Sequence, residues 1–238
     1  MIDKSTGIVI NSIKYGDSSK IITAFTKDYG KLAFIAKGAR NTKSKFGAAL
    51  EALTISEFTF YNKVNSDLLL LSNADIIKSN VKLIKDNGKL LTGLMTAEAV
   101  NNTQEKRNIN STLYQLFEDL IYKLNDCQNE PFHLFNLFMF NLSQIMGFAI
   151  NRFEILPLNA DYFIDLADAS ISNERPISKD YYKFNYDEIT YFYNLFFTEN
   201  VIEYKLTKSS TQYFYDFWVR FFSFHLERKF SLKSANLL

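Results

Sequence analysis

Short runs of apolar residues, separated by turn residues, fill the first 80 positions of the chain. They predict five strands, at residues 7–13, 20–26, 32–37, 53–61 and 68–74. In the fourth run the apolar positions change parity between Ile55 and Phe58, which indicates a β-bulge near Ser56 and Glu57. Because bulges curve strands and short turns keep successive strands adjacent, the pattern favours a small five-stranded barrel of the OB-fold type.

Beyond residue 80 the spacing of apolar residues changes to that of amphipathic helices. Four stripes with helical spacing occur, at residues 113–124, 135–146, 189–196 and 214–221. Gly147 is a suitable end for the second helix. Asn185 with Glu188, and Ser209 with Gln212, are cap-like pairs that predict where the third and fourth helices begin.

The helical spacing lapses between residues 150 and 184. A β-hairpin is predicted there, from the apolar run 162–166, a turn around Asp168 and the following Ile171. Packing would have to hold this hairpin together, and its candidate residues are Tyr162, Phe163 and Leu166. The sequence therefore predicts an α+β protein with an OB-fold domain at residues 1–80 and an all-helical domain at residues 81–238, interrupted by the hairpin segment.

The composition is that of an ordinary globular protein, with 238 residues of which 47% are hydrophobic and 22% charged. Cys127 is the single cysteine, which permits no internal disulfide and no cysteine-based zinc site, so we expect a reducing compartment, the cytoplasm. No apolar run approaches the roughly 20 residues of a membrane helix, and we expect no membrane partner. His133 and His225 lie in or beside apolar helical stripes, which favours packed histidines over catalytic ones.

Positive charge is concentrated in the predicted barrel. Residues 1–80 hold 11 Lys and Arg against 7 Asp and Glu, whereas residues 81–238 hold 16 against 19. Residues 37–45 alone carry four cations and no acid, namely Lys37, Arg40, Lys43 and Lys45. Cations crowded on a short loop repel one another, so a polyanion such as nucleic acid is a natural partner, and Phe46 could stack on a base. A solvated surface loop is the alternative interpretation.

No catalytic motif is found, neither a phosphate-binding glycine loop nor a nucleophile elbow nor a zinc-protease pattern. Three carboxylates near the predicted hairpin offer the oxygen ligands that suit a divalent cation: Asp161, Asp165 and Asp168. No glycine-containing loop arranges them, so their better interpretation is the solvent side and the turn of the hairpin. We therefore expect no metal site and no cofactor, and a metal-dependent nuclease is kept only as a rival hypothesis.

Several segments closely resemble the bacterial RecO family of recombination mediators. In the barrel region these are residues 7–10, 15–21, 25–26, 29–32, 36–40, 46–50 and 70–75. Residues 138–148 are similar to the helix of that family that ends in Leu-Gly-Phe, and residues 224–226 and 232–234 are similar to its last helix and tail. The resemblance thus spans almost the whole chain and is strongest over residues 7–50.

The resemblance implies an OB-fold domain, a helical domain and a role in DNA repair. RecO proteins bind single- and double-stranded DNA, anneal complementary strands and, with RecR, help load RecA onto DNA coated by single-strand-binding protein. They are not enzymes, and they are expected at the nucleoid. Matched to this chain, the resemblance places Lys37, Arg40, Lys43 and Lys45 on the DNA-binding surface, with weaker additions from Lys14, Lys20 and Lys31.

Two further expectations concern the helical domain. Many family members carry a four-cysteine zinc ribbon where residues 150–184 stand here, but this stretch has no cysteine, so no zinc is predicted. The helical domain is also expected to receive the acidic C-terminal tail of single-strand-binding protein, with Lys106, Arg107 and Arg152 as candidate cations near helix ends. The rival hypothesis is a protein-interaction adaptor with little direct DNA binding.

Overall fold

The computed structural model describes residues 1–63, 66–128, 130–151, 160–198 and 205–237. The chain forms two compact units. Unit 1 is Met1–Gln128 with Lys233–Ala235, and unit 2 is Asn129–Leu232 with Asn236–Leu238. Among the described residues, no helix is both long enough and apolar enough to cross a membrane.

A closed five-stranded barrel begins unit 1, as the sequence predicts. Its strands are β1 (Ile2–Tyr15), β2 (Ser19–Thr26), β3 (Gly30–Ala36), β4 (Ile55–Tyr61) and β5 (Leu69–Lys78). Around the barrel their order is β1-β2-β3-β5-β4, and β4 pairs again with β1. All pairs are antiparallel except β3 with β5, which run parallel. A 3₁₀ turn, Gly47–Leu50, lies between β3 and β4.

The barrel interior is filled by alternate residues of the strands. In β3, Leu32, Phe34 and Ala36 are buried while the residues between them are partly exposed, as period-2 alternation requires. The Phe34 ring lies 5.4 Å from the Phe58 ring and 5.1 Å from the Phe60 ring, centroid to centroid. The register of β4 with β5 shifts just after Ile55, but the extra residue is Ile77 on β5. The β4 strand pairs with β1 from Ile55 to Tyr61 without a shift, so the bulge predicted near Ser56 lies on the partner strand.

Three helices follow the barrel within unit 1. They are α1 (Val81–Ile84), α2 (Asn87–Thr103) and α3 (Ser111–Asp126). The apolar stripe predicted for 113–124 is α3, but the sequence pattern missed α2 because its buried positions include Thr92, Gly93 and Thr96 rather than large apolar residues. The predicted boundary at residue 80 coincides with the end of the barrel strands. Its use as a domain boundary stays a prediction, since α1, α2 and α3 belong to the same compact unit as the barrel.

Unit 2 combines three helices with a small sheet. Its elements are α4 (Phe132–Met146), β6 (Tyr162–Asp165), β7 (Ile171–Ser172), β8 (Tyr181–Phe184), α5 (Tyr186–Phe197) and α6 (Lys208–His225). A 3₁₀ segment, Lys233–Leu237, follows these elements, and its first three residues belong to unit 1. The predicted hairpin is present as β6 and β7, and β8 adds a third strand on the other edge of β6 that was not predicted. Tyr162 and Leu166 are buried, and the Phe163 ring packs against Tyr181.

The predicted ends of the helices in unit 2 are confirmed with one shift. Gly147 ends α4, and Asn185 with Glu188 forms a complete capping box at the start of α5. The N-cap of the last helix is Thr207, two residues before the predicted Ser209, and its hydroxyl accepts the backbone N–H of Ser210. Gln212 is not part of the cap, since its side chain donates to Asp216 one turn further on.

A buried polar chain joins the three helices of unit 2. Trp218 Nε1 donates to Asn136 Oδ1 at 2.9 Å, and Asn136 Nδ2 donates to the Tyr191 hydroxyl at 3.0 Å. That hydroxyl lies 2.9 Å from His133 Nδ1. The four residues lie among closely packed aromatic rings. Their hydrogen bonds therefore hold the apolar core of this unit in one fixed arrangement.

Candidate nucleic-acid interface

The loop between β3 and the 3₁₀ turn, residues 37–46, presents its four cations to solvent. Lys37, Arg40, Lys43 and Lys45 are all exposed. The loop is built of two successive turns, in which Asn41 N donates to the Gly38 carbonyl at 3.1 Å and Ser44 N to the Asn41 carbonyl at 2.9 Å. Backbone hydrogen bonds within the loop thus set its course.

Arg40 fastens this loop to the turn between β1 and β2. Its backbone N–H donates to the Ser18 carbonyl at 2.8 Å, and its Nη1 donates to the Gly16 carbonyl at 2.9 Å. Two segments that are separate in sequence therefore meet at one end of the barrel. We call the exposed cations of these two segments the basic rim, which consists of Lys14, Lys37, Arg40, Lys43 and Lys45.

Lys20 borders the basic rim but does not offer a free charge. It is the register partner of Lys14 on β2, and its ammonium lies 2.7 Å from Glu51 Oε1. Only 19% of the Lys20 side chain is exposed. The carboxylate neutralises this lysine locally, so Lys20 contributes less to the field of the rim than its position suggests.

Lys31 lies at the other end of β3, about 20 Å from Lys37 along the strand. Its Nζ donates to the backbone carbonyl of Asn101 at 2.7 Å and to the Asn101 side chain at 3.3 Å. Asn101 belongs to the last turn of α2, where carbonyl groups attract a cation. Lys31 thus joins the barrel to α2 and is not part of the basic rim.

Phe46 is a core residue of the barrel. Only 3% of it is exposed, and it belongs to the cluster that contains Phe34 and Phe58. The Lys45 ammonium lies over its ring, 5.3 Å from the centroid. Stacking of this ring on a base, which the sequence suggested, is inconsistent with its burial.

Tyr15 is the exposed aromatic residue beside the rim that the sequence reading overlooked. It ends β1, is 51% exposed and pairs in register with Ser19 across the turn to which Arg40 is bonded. The sequence signal that could have found it is its position at the end of a predicted strand, directly before the turn glycine Gly16, where few residues of the barrel can cover a ring. Tyr15, and not Phe46, is therefore an exposed ring beside the basic rim.

Comparison with known proteins identifies the family to which this barrel belongs. A family model described as "Recombination protein O N terminal" matches residues 1–80, which contain the whole barrel and its rim. A DNA repair protein RecO of Salinibacter ruber is 30% identical over 173 residues, covering 71% of this chain and 66% of that protein. Another, of Acetivibrio thermocellus, is 32% identical over 146 residues, covering 61% of this chain and 57% of that protein.

This chain belongs to the RecO family. A third relative, the DNA repair protein RecO of Chloroherpeton thalassium, is 30% identical over 152 residues, which are 63% of this chain and 58% of that protein. The chain therefore spans between 57% and 66% of the length of these three RecO proteins.

The cations considered for a peptide tail brace the barrel of this RecO chain. Lys106 Nζ lies 2.9 Å from Asp67 Oδ2, and this hydrogen bond lowers the pKa of the Asp67 carboxyl. The guanidinium of Arg107 donates to the carbonyls of Lys63 at 3.0 Å and Ser66 at 3.3 Å. Both side chains hold the loop between β4 and β5, and Arg152 lies outside the described residues.

The three hairpin carboxylates of this RecO chain each bind a different partner within the fold. Asp161 pairs with Lys183 at 2.7 Å, and Asp165 accepts the Ser178 hydroxyl at 2.9 Å. Asp168 accepts hydrogen bonds from Ser170, which lower the pKa of its carboxyl. Across the part of the chain that the structure describes, no group of three or more His, Cys, Asp or Glu side chains could hold a metal ion.

Proposed function

We propose that this RecO-family chain is a DNA repair mediator that binds DNA electrostatically through the basic rim and makes or breaks no covalent bond. The observation that carries the proposal is the pair of hydrogen bonds from Arg40 to Ser18 and Gly16, which unites the cations of two loops on one barrel end. The two segments of the rim contain five exposed cations and one acid, Asp17. Such a surface attracts phosphates by releasing their counterions.

The rim suits strand annealing for a physical reason. Two complementary strands repel each other through their phosphates, and this repulsion opposes the first contacts between their bases. Cations that hold one strand by its backbone lower that repulsion and leave the bases accessible to the second strand. The mechanism needs neither a nucleophile nor a general base.

We also propose the partners that the family resemblance implies. These are single- and double-stranded DNA, RecR, and the C-terminal tail of single-strand-binding protein, so that the chain helps to load RecA onto coated DNA. The support is the RecO match over the barrel and the description of the relatives as DNA repair proteins. A role on chromosomal DNA would place the protein in the cytoplasm, at the nucleoid.

The experiment is the annealing of two complementary oligonucleotides, followed by fluorescence across a salt series without magnesium. It is run with bare strands and with strands coated by single-strand-binding protein. Annealing that weakens with salt and persists on coated strands supports the mediator. A chain that neither anneals nor binds DNA at low salt would be an interaction adaptor instead, and strand loss on adding magnesium would indicate a nuclease.

A further inference from the structure

An ion pair lies at the end of the barrel that carries the basic rim. Lys20 stands between Lys14 on β1 and Ala36 on β3, which are its two register partners. Directly opposed residues of neighbouring strands point to the same face, and Ala36 belongs to the barrel core. The Lys20 side chain therefore runs over the end of the barrel interior, where its ammonium meets the Glu51 carboxylate at 2.7 Å.

The fold fixes the backbone of Glu51 on both sides. Its backbone N–H donates to the Ala48 carbonyl at 3.1 Å, and its carbonyl accepts the backbone N–H of Thr54 at 3.1 Å. The Asn80 side chain donates to the carbonyl of Ala52, the next residue, at 2.6 Å. A hydrogen-bonded turn thus presents the carboxylate to Lys20.

The ion pair is accessible from the side of the carboxylate. The Glu51 side chain is 47% exposed, whereas that of Lys20 is 19% exposed. Attraction between two charges in partly exposed surroundings is moderate, and dissolved salt screens it. A phosphate that approaches the rim can therefore replace Glu51 as the partner of Lys20 without a rearrangement of the strands.

We propose that Glu51 is a built-in competitor of DNA phosphate for Lys20, and that it limits how tightly the basic rim holds a strand. This inference rests on the proposed function. In the chain without DNA, the carboxylate accepts the hydrogen bond of the Lys20 ammonium and cancels its charge locally. When a strand is bound, phosphate and carboxylate exchange on that ammonium, so this contact with DNA forms and breaks readily.

A competitor of this kind suits a protein that must release the strand it has captured. Each phosphate that a lysine neutralises releases counterions from single-stranded DNA, and it adds about 0.7 to the log-log salt slope. At about 0.1 M salt, one such contact corresponds to about a fivefold gain in affinity. Loss of this contact to Glu51 shortens the lifetime of the complex and speeds transfer of the strand to its complement.

The test measures binding of oligothymidylate of about 20 nucleotides to the full chain, by fluorescence anisotropy across a salt series. The variants are Glu51→Gln, Lys20→Gln and the two combined. Glu57→Gln is the matched control, because Glu57 also pairs with a lysine, Lys4 at 2.9 Å, which stands ten residues before Lys14 on β1. Stopped-flow dissociation into excess unlabelled strand gives the release rate, and thermal unfolding checks that each variant folds.

Glu51→Gln should bind the strand about fivefold more tightly at about 0.1 M salt, release it about fivefold more slowly and steepen the salt slope by about 0.7. Lys20→Gln should bind as wild type does, and it should cancel the gain when it is combined with Glu51→Gln. Glu57→Gln should leave the affinity and the slope unchanged. A Glu51 that only relieves the repulsion between Lys14 and Lys20 would, when replaced, lower stability without raising affinity.

Wild-type affinity in a folded Glu51→Gln variant would overturn the inference, as would an equal gain in Glu57→Gln, which would indicate an effect of net charge alone. A gain that survives in the double variant would also overturn it, because Glu51 would then act by general repulsion and not through Lys20. A fivefold loss in Lys20→Gln would show that Lys20 already binds phosphate beside Glu51, and it contradicts the inference even if Glu51→Gln fails to fold. A wild-type chain that does not bind the strand contradicts the proposed function itself.

Discussion

A β-carbon on Gly30 would overlap the backbone carbonyl of Asn108. Gly30 opens β3 with a φ of +65°, and the segment after α2 lies against it, with Lys31 and Lys106 bridged in parallel. The backbone N–H of Arg107 donates to the Lys31 carbonyl at 3.0 Å. A side chain at residue 30 would therefore push this segment off the barrel.

Gly30→Ala should lower the free energy of unfolding by about 3 kcal/mol, because it combines a left-handed backbone with a collision against backbone atoms. Gly16→Ala is the matched control, since Gly16 has a φ of +55° but nothing within 4 Å of the added carbon. The control should lower the free energy of unfolding by about 1 kcal/mol, which is the cost of a left-handed backbone without a collision. Urea unfolding measures both variants, and equal losses would show that the contact with Asn108 is not tight.

The barrel was predictable because its sequence carries local signals for each strand. The period-2 pattern of β3 and the parity change near Ser56 are read directly from the chain. The structure shows the first as predicted, and it shows a register shift beside the second, with the extra residue on β5. The capping pair of Asn185 with Glu188 is an equally local signal. Such features need no knowledge of distant contacts.

The rest depends on contacts between distant parts of the chain. Nothing near Phe46 in sequence shows that its ring enters the barrel core, and nothing near Lys31 shows that Asn101 accepts its ammonium. The strand β8 was missed for the same reason, since its partner β6 is distant in sequence: the antiparallel pairing joins Tyr162 to Phe184 and Asp165 to Tyr181. The charge pattern of the sequence predicted the basic loop. The hydrogen bond that holds this loop against the turn at Gly16 is visible only in the structure.

Reversing charge on the basic rim should abolish annealing without unfolding the protein. Lys37→Glu with Arg40→Glu changes two exposed residues, and only the Arg40 side-chain bond to Gly16 is lost. Wild-type affinity for a single strand should fall with salt with a log-log slope of roughly −3, which corresponds to about four phosphate contacts. The double variant should show a much smaller slope and a nearly unchanged unfolding temperature.

The control for this variant is Lys27→Glu with Lys85→Glu, which changes the net charge equally at exposed residues away from the rim. It should anneal almost as wild type does. Annealing that persists in the folded rim variant, or that is lost equally in the control, would contradict the assignment of the rim.

Asn136 should be essential to the stability of unit 2. Asn136→Ala would leave the buried Trp218 N–H without its acceptor and the Tyr191 hydroxyl without one donor, at a cost of about 3 kcal/mol. Trp218 is the single tryptophan of the chain, so its fluorescence follows this unit during urea unfolding. Asn141→Ala on the same helix is the control, since Asn141 Nδ2 donates to the carbonyl of Leu137 one turn earlier on that helix, and it should change stability little. Similar losses of stability in both variants would argue against a special role for the buried hydrogen bonds of Asn136.

Acid should weaken the same unit through its two histidines. Burial lowers the pKa of His133 and that of His225 below the ordinary value of 6.5. The Tyr191 hydroxyl receives a hydrogen bond from Asn136, so it can donate its own proton to His133 Nδ1 only while that nitrogen is unprotonated. The neutral histidine is therefore the form that fits the fold.

The sign of the pH effect follows from linkage. Between the lowered folded pKa and 6.5, the unfolded chain binds protons that the folded chain does not, so the free energy of unfolding falls as the pH drops below about 6.5. The stabilising contribution of each histidine is fully present above that pH. Urea unfolding at a series of pH values from about 7.5 to 5 gives the slope, which counts the protons taken up on unfolding.

Replacing each histidine in turn should reduce this slope by up to one proton. His225→Phe is the cleaner variant, because the imidazole already stacks on Phe148 with ring centroids 4.5 Å apart, and a phenyl ring can keep that contact. His133→Gln removes the other titrating group, with some loss of stability at every pH from the disturbed bond to Tyr191. If both variants keep the full wild-type slope, the acid sensitivity arises from carboxylates and not from these two partly buried histidines.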